Sequence, residues 1–162
     1  MRVLVTGGTG YIGTTLLRRF PVDHTPVALV RESSRTELLP DDIETVRGDV
    51  TDEGSLIDAM TDIDAVVHMA AVNPGSRNSP EITSSVSDGV FQQVNVQGTE
   101  NVFEAAADAG VESVVYLSTT KAHPEVEVEN ASMYVKTKGK GGNLLKTGEY
   151  PFDYSIIHPT YV

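Results

Sequence analysis

The strongest constraint on this chain lies at its start. An apolar run, Val3-Leu4-Val5, leads into Gly7-Gly8-Thr9-Gly10-Tyr11-Ile12-Gly13, and a helical pattern follows at once, with Ile12, Leu16, Leu17 and Phe20 on one face. In a strand–turn–helix unit of this kind, Gly7 permits the tight turn out of the strand. Gly10 lets the backbone approach a diphosphate, and Gly13 lets the helix pack closely on the sheet with its N-terminus towards the anion. The spacing is G-x-x-G-x-x-G. It lacks the G-K-[ST] ending of a phosphate-binding P-loop and differs from the G-x-G-x-x-G of the commonest dehydrogenases. A nucleotide site is expected here, built on Gly7, Gly10, Tyr11, Ile12 and Gly13.

The rest of the chain repeats the alternation that this unit begins. Strand-length apolar runs lie at Arg2 to Thr6, Pro26 to Arg31, Ile43 to Arg47, Ala65 to Met69, Ser113 to Ser118 and Tyr154 to His158. Helical patterns separate them at Tyr11 to Phe20, Asp52 to Met60, about Asp88 to Ala109 and about Ser132 to Thr147. Such an order predicts an α/β, doubly wound, parallel six-stranded sheet with helices on both faces, formed as one dinucleotide-binding domain over residues 1–162. Two loops are expected, Asn73 to Gly89, rich in proline, glycine and hydroxyl residues, and Lys121 to Asn130.

Composition narrows the function classes. With no cysteine, the 162-residue chain has no disulfide, no thiolate nucleophile and no sulfur-ligated zinc, and no metal site is expected. A net charge of −11 argues against nonspecific binding to nucleic acid or anionic lipid. No apolar stretch approaches the roughly 18 residues of a membrane span, and the first residues enter a strand pattern instead of a signal peptide. A cytoplasmic protein with a small-molecule substrate is expected. Five lysines against 23 acids fit either a salt-adapted surface or an ordinary acidic one.

Beyond the glycine run, the chain carries Gly48-Asp49-Val50 after the third strand, His68-Met69-Ala70-Ala71 closing the fourth and Asn95-Val96-Gln97-Gly98-Thr99 in the long helix. It also carries Tyr116-Leu117-Ser118-Thr119-Thr120 on the fifth strand, Tyr134-Val135-Lys136-Thr137-Lys138 in the next helix and His158-Pro159-Thr160 ending the sixth strand. In order and placement these motifs resemble the short-chain dehydrogenase/reductase superfamily over the whole chain, and more narrowly its extended branch, the NAD(P)-dependent epimerase/dehydratase family. The resemblance implies a Rossmann fold and hydride transfer at a hydroxyl or ketone carbon of a small substrate such as a nucleotide sugar. It also implies that Asp49 and Val50 meet the adenine, that Ala70 and Ala71 line the passage to the nicotinamide ribose, and that Ser118 and Pro159 border the cofactor.

For the chemistry, the family pattern maps onto Tyr134, Lys138, Thr120 and Asn95. Tyr134 and Lys138 share a helix face at i and i+4, so the ammonium, with the cofactor's positive charge, is expected to favour the phenolate that moves the substrate proton. The resemblance gives Lys138 a hold on the nicotinamide ribose, Thr120 a hydrogen bond to the reacting oxygen, and Asn95 a water that relays protons to Lys138. The adjacent hydroxyls of Ser118 and Thr119 leave the register open by one residue.

The end of the second strand decides between cofactors. In one reading Arg31 and Arg35 flank a 2′-phosphate while serine hydroxyls such as Ser33 donate to it, which favours NADP. In the other, Glu32 accepts from the ribose hydroxyls of NAD. The chain departs from the family pattern in a short span between Thr120 and Tyr134, in Gly139, Gly141 and Gly142 within the last helix, in His158 where the family generally has arginine, and in ending at Val162 without the further strand and substrate-binding portion. The glycines predict either a frayed helix or close packing. The ending predicts uncovered apolar surface near the sixth strand and sets up an alternative function, a truncated or regulatory NAD(P)-binding module without turnover. A homodimer through the two long helices is also expected, with Val94, Val102, Phe103 and Ala106 as an apolar face.

Overall fold

A computed structural model of the chain describes residues 1–73, 87–127 and 129–160. Six parallel strands form one sheet: β1 (Arg2–Thr6), β2 (Thr25–Val30), β3 (Glu44–Arg47), β4 (Ala65–His68), β5 (Ser113–Leu117) and β6 (Asp153–Ile157), in the order β3-β2-β1-β4-β5-β6. The helices are α1 (Tyr11–Leu17), α2 (Glu53–Ala59), α3 (Asp88–Gln92), α4 (Gly98–Asp108) and α5 (Met133–Thr147). The order reverses direction between β1 and β4. A crevice therefore opens beyond their carboxyl ends, as expected of a doubly wound sheet.

Alternation along the strands sorts side chains to two cores. From β1, Leu4 faces a large cluster with Val66, Val114, Leu56 of α2, Val102 and Phe103 of α4, and Leu145 of α5. Its neighbours Val3 and Val5 face a smaller cluster with Ala28, Val30, Ala65 and Leu17 of α1. The second face is thinly covered beyond β4. Tyr154 and Ile157 on the edge strand β6 are 45% and 49% exposed, so apolar surface does lie open at the sixth strand. No helix among the described residues is long and apolar enough to cross a membrane.

Three expectations need correction. First, the helix beginning at Tyr11 ends at Leu17 instead of Phe20. Its Thr14 and Thr15 hydroxyls bond back to the Tyr11 carbonyl (3.1 and 3.0 Å), and Pro21 follows closely. Second, the long helix from Asp88 is interrupted by a π-helical turn at Gln93–Gln97 between α3 and α4. Third, Val102, Phe103 and Ala106 are fully buried in the large core, so the apolar face invoked for a dimer covers the sheet instead. Asp88 and Gly89, placed in the first loop, open α3, while residues 74–86 of that loop lie outside the described residues. The second loop opens with a 3₁₀ turn, Thr120–Ala122.

Helix α5 runs unbroken through its glycines, capped by the Ser132 hydroxyl, which accepts from the Val135 N–H. Gly141 answers the choice between fraying and packing. A Cβ there would collide with the Tyr116 hydroxyl and lie 2.9 Å from Tyr116 Cζ.

Candidate functional site

A cleft of about 950 Å³ crosses the carboxyl ends of β1, β2, β3, β4 and β5 and reaches α5. Its floor is the glycine turn. Gly7 has φ +73°, a left-handed conformation, and a Cβ on it would lie 2.7 Å from the Ala70 nitrogen. The Gly10 N–H donates to the Gly7 carbonyl (3.0 Å), and the first bond of α1 runs from the Thr14 N–H to the Gly10 carbonyl (2.9 Å). The N–H groups of Tyr11, Ile12 and Gly13 precede that bond, so helix geometry leaves them for a ligand. A Cβ on Gly13 would lie 2.6 Å from Gly8 Cα, which is why the helix can start this close to the turn.

At the end of β2 the chain folds tightly on itself. The Arg31 N–H donates to the Ser34 hydroxyl (2.9 Å), and the Ser34 N–H returns to the Arg31 carbonyl (3.0 Å). This turn brings Arg31, Ser33, Ser34 and Arg35 to the cleft. Glu32 points elsewhere: its carboxylate lies 3.5 Å from Arg47, with 95% of its side chain exposed, and it does not line the cleft. Across from this turn, Asp49 is fixed by the Thr51 N–H and hydroxyl, which both donate to its Oδ1 (2.9 and 2.8 Å). Val50, Ala70 and Ala71 complete this side.

The far end of the cleft carries Ser118, Thr119, Tyr134, Lys138 and Pro159. Lys138 is only 1% exposed, and none of the ion pairs among the described residues involves it. Its Nζ lies 4.1 Å from the centroid of the Tyr116 ring. Burial pulls the ammonium down from 10.5 to about 7. Burial also raises the Tyr134 phenol above its usual value.

All the residues expected from sequence to bind a cofactor lie around this cleft, but Thr120 and Asn95 do not. The Thr120 hydroxyl and N–H both donate to the Pro159 carbonyl (each 3.0 Å), which turns it away and leaves Thr119 facing inward. Asn95, fully buried in the π turn, accepts from the Val72 N–H (2.7 Å) and donates to the Val72 carbonyl and the Thr137 hydroxyl (both 3.1 Å). Its side-chain bonds therefore brace the cleft wall.

Thr6 and Thr99, which the motifs alone did not single out, extend this bracing. The Thr6 hydroxyl oxygen accepts from the Met69 and Ala70 N–H groups (3.2 and 3.1 Å) and lies 2.7 Å from His68 Nδ1. Its proton therefore goes to Nδ1, which makes His68 the Nε2–H tautomer. That Nε2–H donates to the Thr99 hydroxyl (3.0 Å), which donates to the Asn95 carbonyl (2.9 Å). Burial, then the Lys138 charge, hold His68 well below its usual value, so it is neutral. The signal for this circuit was weak, since its members lie on β1, β4 and α4 and only the fold joins them.

Comparisons with known proteins agree with this geometry. The model of the NAD dependent epimerase/dehydratase family matches residues 3–138. The chain is 33% identical over 133 residues to L-arabinose 1-dehydrogenase (NAD(P)(+)) of Haloferax volcanii, covering 81% of this chain and 46% of that protein. It is 33% identical over 146 residues to dTDP-glucose 4,6-dehydratase of Mycolicibacterium smegmatis, covering 85% and 42%. Among solved structures, the Bordetella bronchiseptica enzyme WbmG in complex with NAD superposes with a TM-score of 0.75 at 26% identity, covering 95% of this chain and 52% of that one. The chain thus spans about half the length of the relatives it matches. It belongs to the NAD-dependent epimerase/dehydratase family.

Proposed function

We propose that the chain holds NADP in preference to NAD and serves hydride transfer at a hydroxyl or ketone carbon of a small substrate such as a nucleotide sugar, with Tyr134 as the acid/base. The observation that carries this reading is the convergence on one cleft of the glycine turn, the Arg31–Arg35 turn and the Tyr134–Lys138 pair. The residues fit a dinucleotide: a close backbone approach at Gly7, spare N–H groups at Tyr11 to Gly13, and a buried ammonium with no anionic partner among the described residues.

When bound, the nicotinamide supplies hydride exchange. Arg31 and Arg35 offer cations to a 2′-phosphate, and Ser33 and Ser34 offer hydroxyl donors, while Glu32 is turned out towards Arg47. Lys138 donates hydrogen bonds to ribose hydroxyls. As a phenol, Tyr134 gives its proton to the oxygen as the carbonyl is reduced; in the oxidative direction it takes the carbinol proton as a phenolate, which the positive charges of Lys138 and of the bound oxidised nicotinamide would favour. The inward position of Thr119 supports it, in place of Thr120, as the hydroxyl that bonds the reacting oxygen. Asn95 acts by fixing Val72 and Thr137.

A second reading, a dinucleotide-holding module without turnover, is favoured by the outward turn of Thr120, whose hydroxyl donates to the Pro159 carbonyl (3.0 Å) instead of facing the cleft. A dimer through α3, α4 and α5 remains part of the proposal. Gln92, Gln93, Val96 and Gln97 line a shallow depression there, with Val90 38% exposed nearby.

The test is an assay of the chain with NADPH against ketones, aldehydes and nucleotide sugars beside Tyr134→Phe. The variant should keep dinucleotide binding and lose about two orders of magnitude in kcat. Near-normal turnover in the variant would overturn Tyr134 as acid/base, and binding without turnover in the unmodified chain would establish the module reading.

A further inference from the structure

A lysine almost wholly removed from water usually has a carboxylate beside it. Lys138 has none among the described residues. What it has is Tyr116. That side chain is fully buried on β5, its ring lies 4.1 Å beneath Nζ, and its hydroxyl donates to the Lys138 carbonyl (3.1 Å). One residue therefore touches both the charged end and the backbone of Lys138. Gly141, one turn further along α5, is the complement of this arrangement, because any Cβ there would displace the Tyr116 hydroxyl.

We infer that Tyr116 is the positioning residue for Lys138: its ring seats the ammonium in place of a counter-ion, and its hydroxyl fixes the height of α5 against the sheet. The role rests on the reading of Lys138 as a dinucleotide-holding group. A carboxylate would occupy the ammonium's donors, whereas the face of a ring attracts the charge and leaves the N–H groups for the cleft.

The titratable neighbours do not supply the missing charge. His68, from β4, is stacked on Tyr116 (ring centroids 5.7 Å apart) and is held neutral, and Tyr134, on α5, is pushed up by burial and stays a phenol. Burial lowers the Lys138 ammonium to about 7. Removing electron density from the Tyr116 ring should lower it further.

The experiment replaces Tyr116 by phenylalanine and by phenylalanines of increasing fluorination; all lack the hydroxyl alike and are nearly isosteric with one another, so comparison within the series isolates the ring's charge distribution. Biosynthetic incorporation of lysine labelled with ¹³C at Cε lets the buried Lys138 be titrated by NMR, without chemical modification, in the protein free of dinucleotide. Its midpoint should fall stepwise along the fluorinated series, by about one pH unit in all. The NADPH dissociation constant near pH 7 should rise several-fold in parallel, and the difference should close at lower pH, where every variant is protonated. A midpoint that stays constant across the series would overturn the inference. Midpoints that fall while NADPH affinity stays unchanged would support the seat and sink the dinucleotide role of Lys138 instead.

Discussion

Replacing Lys138 by methionine should make the protein more stable and less able to bind its ligand. Methionine nearly matches the lysine in volume and needs no solvation. In the folded chain burial drags Lys138 from 10.5 to about 7, and each unit is worth about 1.4 kcal/mol, so the buried ammonium costs on the order of 5 kcal/mol at most. Water entry and the Tyr116 contact reduce this, and a gain of about 2 kcal/mol is expected for Lys138→Met near pH 6. The sign follows from proton binding. Between about 7 and 10.5 the unfolded chain keeps the lysine proton and the folded chain sheds it. The wild-type penalty is therefore full below the lower value and fades as pH rises towards the upper one. Urea unfolding at about pH 6 and pH 9 should show the methionine variant ahead at the lower pH, with the gap shrinking at the higher. NADPH affinity should collapse at both, a trade of function against stability. A variant less stable than wild type at pH 6, or a gap independent of pH, would refute the reasoning.

Other consequences are equally open to measurement. Gly141→Ala, whose Cβ would press on Tyr116, should lower stability by about 1–3 kcal/mol despite alanine's better helix propensity. Gly139→Ala, where the nearest foreign atom would be Ala122 Cβ at 3.7 Å, should raise it by up to about 1 kcal/mol, both read by thermal unfolding. Folded His68 resists protonation while unfolded histidine accepts it, so stability should decline as pH falls below about 6.5. His68→Leu should be less stable overall and flatten that decline, which acid titration by circular dichroism would detect. In any active form, Thr119→Ala should lower kcat at least about tenfold, while Thr120→Ala should cost about 1 kcal/mol of stability with turnover near normal. The opposite pattern would restore Thr120 to the reacting oxygen.

The sheet was legible because most strands are apolar runs bounded by turn residues and four of the five crossovers have their own helical period; the β2–β3 connection has only the 3₁₀ turn Thr36–Leu38. The glycine turn was legible because its backbone demands are local: Gly7 must reach a left-handed φ, and Gly13 must let a helix start against Gly8. What the sequence did not reveal depended on partners far along the chain. The π turn forms where Asn95 clamps the Val72 backbone, an encounter that no helical period announces. Thr119 and Thr120 look alike in sequence, and only the Pro159 carbonyl from the end of β6 separates their roles. Glu32 and Arg31 compete on paper for the ribose, and Arg47 at the end of β3 draws the acid away. Gly141 reads as a helix defect until the Tyr116 hydroxyl is found in the space its missing side chain leaves.

The central claim is that the cleft over the glycine turn holds a nicotinamide dinucleotide. Its most direct test is a calorimetric titration of the unmodified chain with NADPH and with NADH, repeated on Gly13→Ala and Arg31→Asp. The account predicts saturable one-to-one binding, tighter for NADPH, abolished by Gly13→Ala and stripped of its NADPH preference by Arg31→Asp. Absence of saturable binding by either dinucleotide in the folded, unmodified chain would contradict it.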